Sequence, residues 1–289
     1  MRFGNALSRL CLPATLAGAV FVSAVQGQGP VGPPDGFPRT ASKAPLTGLQ
    51  AISPLSGEHP LMPALRWAQD GLASVQKNVS DYSTTLVKRE RVRGKVGETE
   101  YIFTKVRHNP FSVYMHFLGP ADKKGREVIF IEGRNNGKMW AHTTGVQDKL
   151  VGTVSLDPAG LVAMEGERYP LTEVGLMNLV RRLAEVAEMD TKYGECDVKF
   201  LKGAKINSRV CTCIEVLHPV PRKNFRFHLA RVFVDDTLNL PIRYEAYDWA
   251  KDAKGKPELI EEYTYLNLKV NPGLSDADFD IHNPSYHFH

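Results

Sequence analysis

Few residues in this 289-residue chain are of a type and spacing that could do chemistry, and the cysteines are the first to weigh. Cys11 lies in an N-terminal apolar run, and Cys196, Cys211 and Cys213 follow much later. If Asn207-Ser208 is a two-residue turn, Cys211 falls opposite Ala204, Cys213 opposite Lys202 and Cys196 opposite Pro219, which leaves no easy bridge. Same-face neighbours on one strand stand roughly 7 Å apart, so a Cys211–Cys213 bridge also needs distortion. Buried thiols are expected, with one register-shifted bridge as the variant. Cys-Thr-Cys with no Cys or His partner nearby is a weak metal signature. His218 and His228 face each other if a hairpin centres on Lys223. Two imidazoles could bind a metal, but no third ligand is evident, so they are only weak candidates and no metal site is assigned. His287 and His289 are expected to be solvated.

Other apparent motifs fail on their spacing. Gly133 to Lys138 is one residue short of a phosphate loop, and Met139 stands where Ser or Thr is required. Asp276, Asp278 and Asp280 begin like a calcium loop, but Ile281 replaces the turn glycine and His287 the bidentate glutamate. There is no Gly-x-Ser-x-Gly and no His-Glu-x-x-His. Glu261 and Glu262 point to opposite faces of a strand and cannot act as a carboxylate pair. The run from Pro221 to Arg226 reads as a solvated hairpin tip able to touch anionic headgroups, which would be a peripheral membrane contact. No catalytic residue is assigned and no cofactor is implied.

The elements that would position a site follow from periodicity. Leu61, Leu65, Ala68, Leu72 and Val75 predict a helix over 61–78. A second is expected over 173–189 with Thr172 as N-cap, an inward stripe of Leu176, Leu179, Val180, Leu183 and Val186, and Arg181, Arg182, Glu185 and Glu188 outward. Alternation predicts strands near 82–93, 98–108, 111–118, 126–132, 137–143, 196–206, 209–217, 226–235, 240–249 and 259–270. Tight turns between them imply an antiparallel meander, so the fold class is α+β, mainly β, with about ten strands in one large curved sheet and two main helices on one face. Several strands carry large apolar groups on both faces. Either helices and loops cover both, or an apolar cavity lies between sheet and helices. Met115, Phe117, Phe130, Trp140 and Tyr244 are the expected cavity wall.

Composition bounds the rest. With 43% hydrophobic and 24% charged residues the chain is neither disordered, collagen-like nor polytopic, and 36 basic against 32 acidic residues give +4, too diffuse for nucleic acid as main partner. Arg2 and Arg9 precede an apolar run from Leu10 to Val22, then small residues at Val22-Ser23-Ala24 or Val25-Gln26-Gly27, which together read as a cleaved export signal over 1–27. A retained anchor competes, although the run is shorter than the roughly 20 residues of a spanning helix. Arg9 stands where a lipobox around Cys11 needs a small residue. Proline and glycine dominate 28–60, a flexible tether, leaving 61–289 as a single domain.

Asn109-Pro110-Phe111, Tyr114 to Pro120, Gly125-Arg126-Glu127-Val128, Cys213 to Pro219, Leu240 to Trp249 and Glu261 to Tyr265 resemble a family of exported bacterial proteins of unknown function. The tail from Asn267 to Asp276, ending at Phe279, is similar to the close of LolA-type lipoprotein carriers. This resemblance, over about 61–286, implies an incomplete β-barrel whose helices plug a hydrophobic concavity holding a lipid or a lipoprotein acyl chain. It carries over no activity. The proline-rich tether and the long connection 145–172 depart from the shuttle carriers. The expectation is a non-catalytic, periplasmic or envelope protein with an acyl ligand. The alternative is a sensor module that binds an envelope protein through an exposed Tyr/Arg surface at Arg243, Glu245 and Tyr247. A metal-dependent enzyme around His218 and His228 is third.

Overall fold

The computed structural model describes residues 55–143, 152–252 and 255–288. The export segment at 1–27 and the tether as far as residue 54 lie outside them. Among the described residues there are two α-helices and twelve strands: α1 (Met62–Asn78), β1 (Asp81–Val92), β2 (Lys95–Val96), β3 (Glu100–His108), β4 (Phe111–Gly119), β5 (Glu127–Ile131), β6 (Met139–His142), β7 (Val154–Leu156), α2 (Leu176–Asp190), β8 (Asp197–Ile206), β9 (Arg209–Leu217), β10 (Leu229–Asp235), β11 (Pro241–Asp248) and β12 (Glu258–Val270). The ten expected strands are all there. The short β2 and β7 are additions, too brief to leave an alternation in the sequence.

All twelve strands form one antiparallel sheet in the order β7-β6-β5-β4-β3-β1-β12-β11-β10-β9-β8, with β2 paired to β1. The sheet is open, because β7 and β8 end it without pairing to each other, in keeping with the incomplete barrel expected. Two meanders meet at the β1–β12 pair, which joins the two longest strands, of 12 and 13 residues. Asn207 and Ser208, at φ 46° and 67°, make the expected two-residue turn, and Cys211 faces Ala204. A register shift between Leu201 and Ala204 then puts Leu201, not Lys202, opposite Cys213.

The helices cover the concave face. α1 buries Ala64, Leu65, Trp67, Ala68 and Val75, and α2 buries Leu176 and Val180. Two apolar clusters lie beneath them, one around Trp67, Ile214 and Val232, the other around Tyr82, Ile102 and Leu176. The opposite face is covered in part by the C-terminal tail, where Phe279 packs with Tyr114 and Ile129, and Tyr286 stacks on Tyr114 at 4.0 Å. That tail accounts for strands apolar on both sides. It also gives the His287 backbone a place: its N–H donates to Glu127 at 2.7 Å, while the side chain stays exposed, as expected. No helix among the described residues is long and apolar enough to cross a membrane.

The second helix begins later than its sequence suggests. Leu171–Glu173 form a 3-10 turn, and the N-cap is Gly175, not Thr172. Gly175 has φ 114°, and a Cβ there would stand 2.8 Å from the Tyr82 hydroxyl, to which the Leu176 N–H donates at 2.9 Å. Backbone strain and collision with a buried phenol both oppose a side chain at this position. Gly175→Ala is expected to cost about 2 kcal/mol or more in urea unfolding, while Gly194→Ala, with ordinary φ and open space around its Cβ, should be near neutral. Equal effects at the two sites would remove Gly175 from the account of how α2 is seated.

Candidate functional site

Between the concave face, the two helices and the connection 157–175 lies a cavity of about 740 Å³. Its apolar wall includes Trp67 from α1, Leu183 and Val186 from α2, and Ile214, Val232 and Ile260 from the sheet. Of the five expected wall residues, Met115, Phe117 and Tyr244 line it. Phe130 is on the same sheet face, opposite Val113, but sits outside the lining with its ring 6.2 Å from Phe111. Trp140 is on the other face. It pairs with Ile129 and packs in the cluster of Phe279, so its neighbour Met139 reaches the cavity. The expected parity is off by one residue here, which in a strand reverses the face.

The wall has a polar half that the periodicity does not reveal. Register places Lys88 opposite Tyr263 and Glu90 opposite Glu261 across the β1–β12 pair, with Glu100 of β3 beside Lys88. Two carboxylates side by side on a buried surface repel unless cations join them. Lys88 is one, and the connection 157–175 brings the other. Lys88 meets Glu167 in a hydrogen-bonded ion pair and lies 3.3 Å from Glu100. The Arg168 side chain donates to Glu261 at 3.0 Å, and its backbone N–H to Glu90 at 3.0 Å. The Tyr263 hydroxyl donates to Glu90, and that of Tyr169 to Glu261 at 3.3 Å. Burial alone would lower the pKa of Lys88, but Glu167, Glu90 and Glu100 hold it above the usual lysine range. Burial pushes Glu167 up, against the pull of Lys88. In β1 the run Lys88-Arg89-Glu90-Arg91 is charged on both faces, so alternation carries no sign of which residues turn inward.

The histidines and cysteines have structural partners. His218 N–H donates to the His228 carbonyl at 2.8 Å, so the two do face each other, as expected. His228 Nδ1 donates to the His218 carbonyl at 2.9 Å. His218 is fully buried, its ring stacked 3.9 Å from Phe225. Phe225 is therefore part of the interior of what reads as a solvated tip, and Arg222 pairs with Glu195. Among the described residues no group of three or more His, Cys, Asp or Glu forms a metal site. Cys196, Cys211 and Cys213 are free and buried, and burial raises their thiols to about 12, 11 and 11. Such thiols are poor nucleophiles.

One buried pair is incomplete. His218 Nδ1 lies 3.1 Å from the Phe227 carbonyl and must be the donor there, so in the neutral ring Nε2 is an acceptor. It faces Asp190 Oδ2 at 3.5 Å, and neither atom has a hydrogen-bond partner. Asp190 ends α2 and lines the cavity. Burial pushes its pKa up to about 6, against the pull of Arg226, and burial lowers that of His218. A proton on Asp190 turned toward Nε2 satisfies both groups.

A family model described as "Protein of unknown function (DUF1571)" matches residues 79–288. Among curated proteins no sequence matches. Similar solved structures include an uncharacterized conserved protein from Thermus thermophilus, at 13% identity and TM-score 0.41, covering 73% of this chain and 91% of that one. The lipoprotein LppX of Mycobacterium tuberculosis is similar at 12% identity and TM-score 0.42, covering 76% and 100%. A LolA superfamily protein from Nitrosomonas europaea is similar at 11% identity and TM-score 0.31, covering 74% and 97%. Likenesses of this size assign neither ligand nor partner to the chain.

The polar half and the Asp190 pair yield separate expectations. Lys88→Met leaves Glu90, Glu100 and Glu167 without their shared cation and should cost about 3–5 kcal/mol in urea unfolding. A loss below about 1 kcal/mol would show that the carboxylates are not held by Lys88. For Asp190 the folded pKa is above its ordinary 3.8, so burying the carboxylate penalises the fold above pH 6, and the penalty fades as pH falls from about 6 to about 4. Asp190→Asn should therefore raise Tm at pH 7.5 and lose that advantage by pH 4. A pH-independent difference in Tm would contradict the protonated pair.

Proposed function

We propose, for a chain that belongs to the DUF1571 family of proteins of unknown function, that it is an exported cell-envelope protein holding an apolar ligand, a lipid or lipoprotein acyl chain, in the cavity under its sheet. No covalent step is involved. The observation that carries this reading is the cavity itself. Protein interiors are packed to crystal density with few voids larger than a water molecule, yet here about 740 Å³ stands open against Trp67, Leu183, Ile214 and Val232. That volume is within the range of small-molecule sites, roughly 300–1,000 Å³. An acyl chain entering it would gain about 0.8 kcal/mol for each methylene removed from water. Export is supported by Arg2 and Arg9 ahead of the apolar run to Val22, and by the proline- and glycine-rich stretch that follows.

The sensor reading rests on Arg243, Glu245 and Tyr247. Two of these are engaged on the sheet, where Arg243 joins Glu245 at 2.7 Å and Glu262 at 2.8 Å, and Arg231 bridges Glu215 and Glu245. A self-paired ion lattice offers a partner less than the open cavity offers an acyl chain.

Native mass spectrometry of protein taken from its own envelope fraction, followed by organic extraction, tests the proposal. The expected result is a stoichiometric adduct that releases an acyl lipid. Ala230→Trp and Ala246→Trp, which put an indole into the cavity from two adjacent strands, should abolish the adduct while leaving a cooperative unfolding transition. Protein that flies at its bare mass and takes up no lipid when offered it would overturn the reading.

A further inference from the structure

The hydrogen-bonding capacity around the cavity is used unevenly. On the inner wall Glu90 and Glu261 are met by Arg168, Tyr169 and Tyr263, and Lys88 is shared by carboxylates. Counting the groups in that network, the acids Glu90, Glu100, Glu167 and Glu261 outnumber the cations Lys88, Lys123 and Arg168. An anion would be repelled there, and few donors remain free to receive it.

The rim is different. Arg181 and Arg182, read from the sequence as pointing outward from α2, are exposed and also line the cavity. Elsewhere guanidinium groups are spent in ion pairs, as at Arg91, Arg209, Arg231 and Arg243. Among the described residues no carboxylate pairs with Arg181 or Arg182, Glu185 on the same helix included. Both are nonetheless held in place. Arg181 donates to the Asn178 side-chain oxygen, and Asn178 is fixed in turn by donating to the carbonyls of Thr172 at 3.1 Å and Val174 at 2.9 Å. The Arg182 guanidinium sits 5.6 Å from the ring of Tyr169, whose hydroxyl is tied to Glu261. Arg226 also lines the cavity, but it faces Asp190 at the far end of α2, about 12 Å along the helix from Arg182 at 1.5 Å per residue.

We infer that the cavity selects acyl amphiphiles with an anionic head, a carboxylate or a phosphate. The tail lies against the apolar wall and the head docks on Arg181 and Arg182. The inference rests on the acyl-cavity reading above and adds which amphiphile it favours. Planar guanidinium forks suit both oxyanions. The acidic inner wall sets the orientation, because the head cannot follow the tail inward.

The test compares ligands of one chain length by isothermal titration on the full chain: palmitate, hexadecyl phosphate and neutral N-palmitoylethanolamine. The anionic pair should bind about 10- to 100-fold more tightly than the neutral amide, as expected for charge-assisted hydrogen bonds, and the gap should narrow at high salt. Arg181→Gln/Arg182→Gln should close the gap at unchanged Tm. The tighter of palmitate and hexadecyl phosphate identifies which oxyanion the rim fits. Equal binding of all three by the unaltered protein overturns the head-group inference and leaves the acyl cavity standing. A gap that survives in the double variant overturns the assignment to these arginines. Binding of none removes the acyl cavity and this inference together.

Discussion

The pairing of β1 with β12 is the constraint from which the rest follows. These strands come from opposite ends of the folded chain, and their register sets Glu90 against Glu261 on a surface shielded from water. Such a pair of carboxylates persists only with cations among them. Lys88 is placed by the same register, but Arg168 belongs to a long connection with no strand of its own to hold it. The connection 157–175 is therefore drawn across the concave face by electrostatics, and α2 follows from its end. Tyr82, near the start of β1, takes up the first amide of that helix. One strand pair thus fixes the sheet, the strap across it and one of its two helices.

The same geometry explains why the interior is not filled. A twelve-stranded curved sheet presents more concave surface than two helices of 17 and 15 residues can cover. The strap supplies charged and aromatic side chains that reach down to the sheet and pair there, so it spans the gap without filling it. Where strap and sheet meet the wall is polar, and where the helices lie over β9, β10 and β11 it is apolar. A void with two chemically different halves is thus a product of topology more than of any single residue.

Much of this is legible in the sequence, and the failures have physical causes. Strand limits can be read because turn residues such as Asn207-Ser208 punctuate period-two stretches. The face of a strand is harder. Trp140 is expected inside because it is large and apolar, but the convex side also has an apolar cover in the C-terminal tail, so size no longer tells the faces apart. Register shifts, such as that between Ala246 and Tyr247, defeat parity arguments in the same way. Thr172 looks like a better N-cap than Gly175 on propensity, yet the phenol of Tyr82, more than ninety residues away, decides where α2 begins. Arg181 and Arg182 are exposed, as their spacing predicts. That an exposed helix face can also be a cavity rim depends on the strap, which leaves no periodic trace.

The open sheet has a consequence for how copies of this chain meet. Among the described residues the sheet ends on two strands, β7 and β8, each paired along one border only, and such strands invite addition of a strand from another molecule. At one end β7 is only three residues long, too short to template much. At the other, β8 carries Lys199, Lys202 and Lys205, and the register shift that moves Cys213 opposite Leu201 includes Gly203 at φ 80°. The shift interrupts the ladder, and the lysines would bring like charges together if two such borders aligned. The irregularity that first shows as a misplaced cysteine partner thus helps keep neighbouring molecules from polymerising edge to edge.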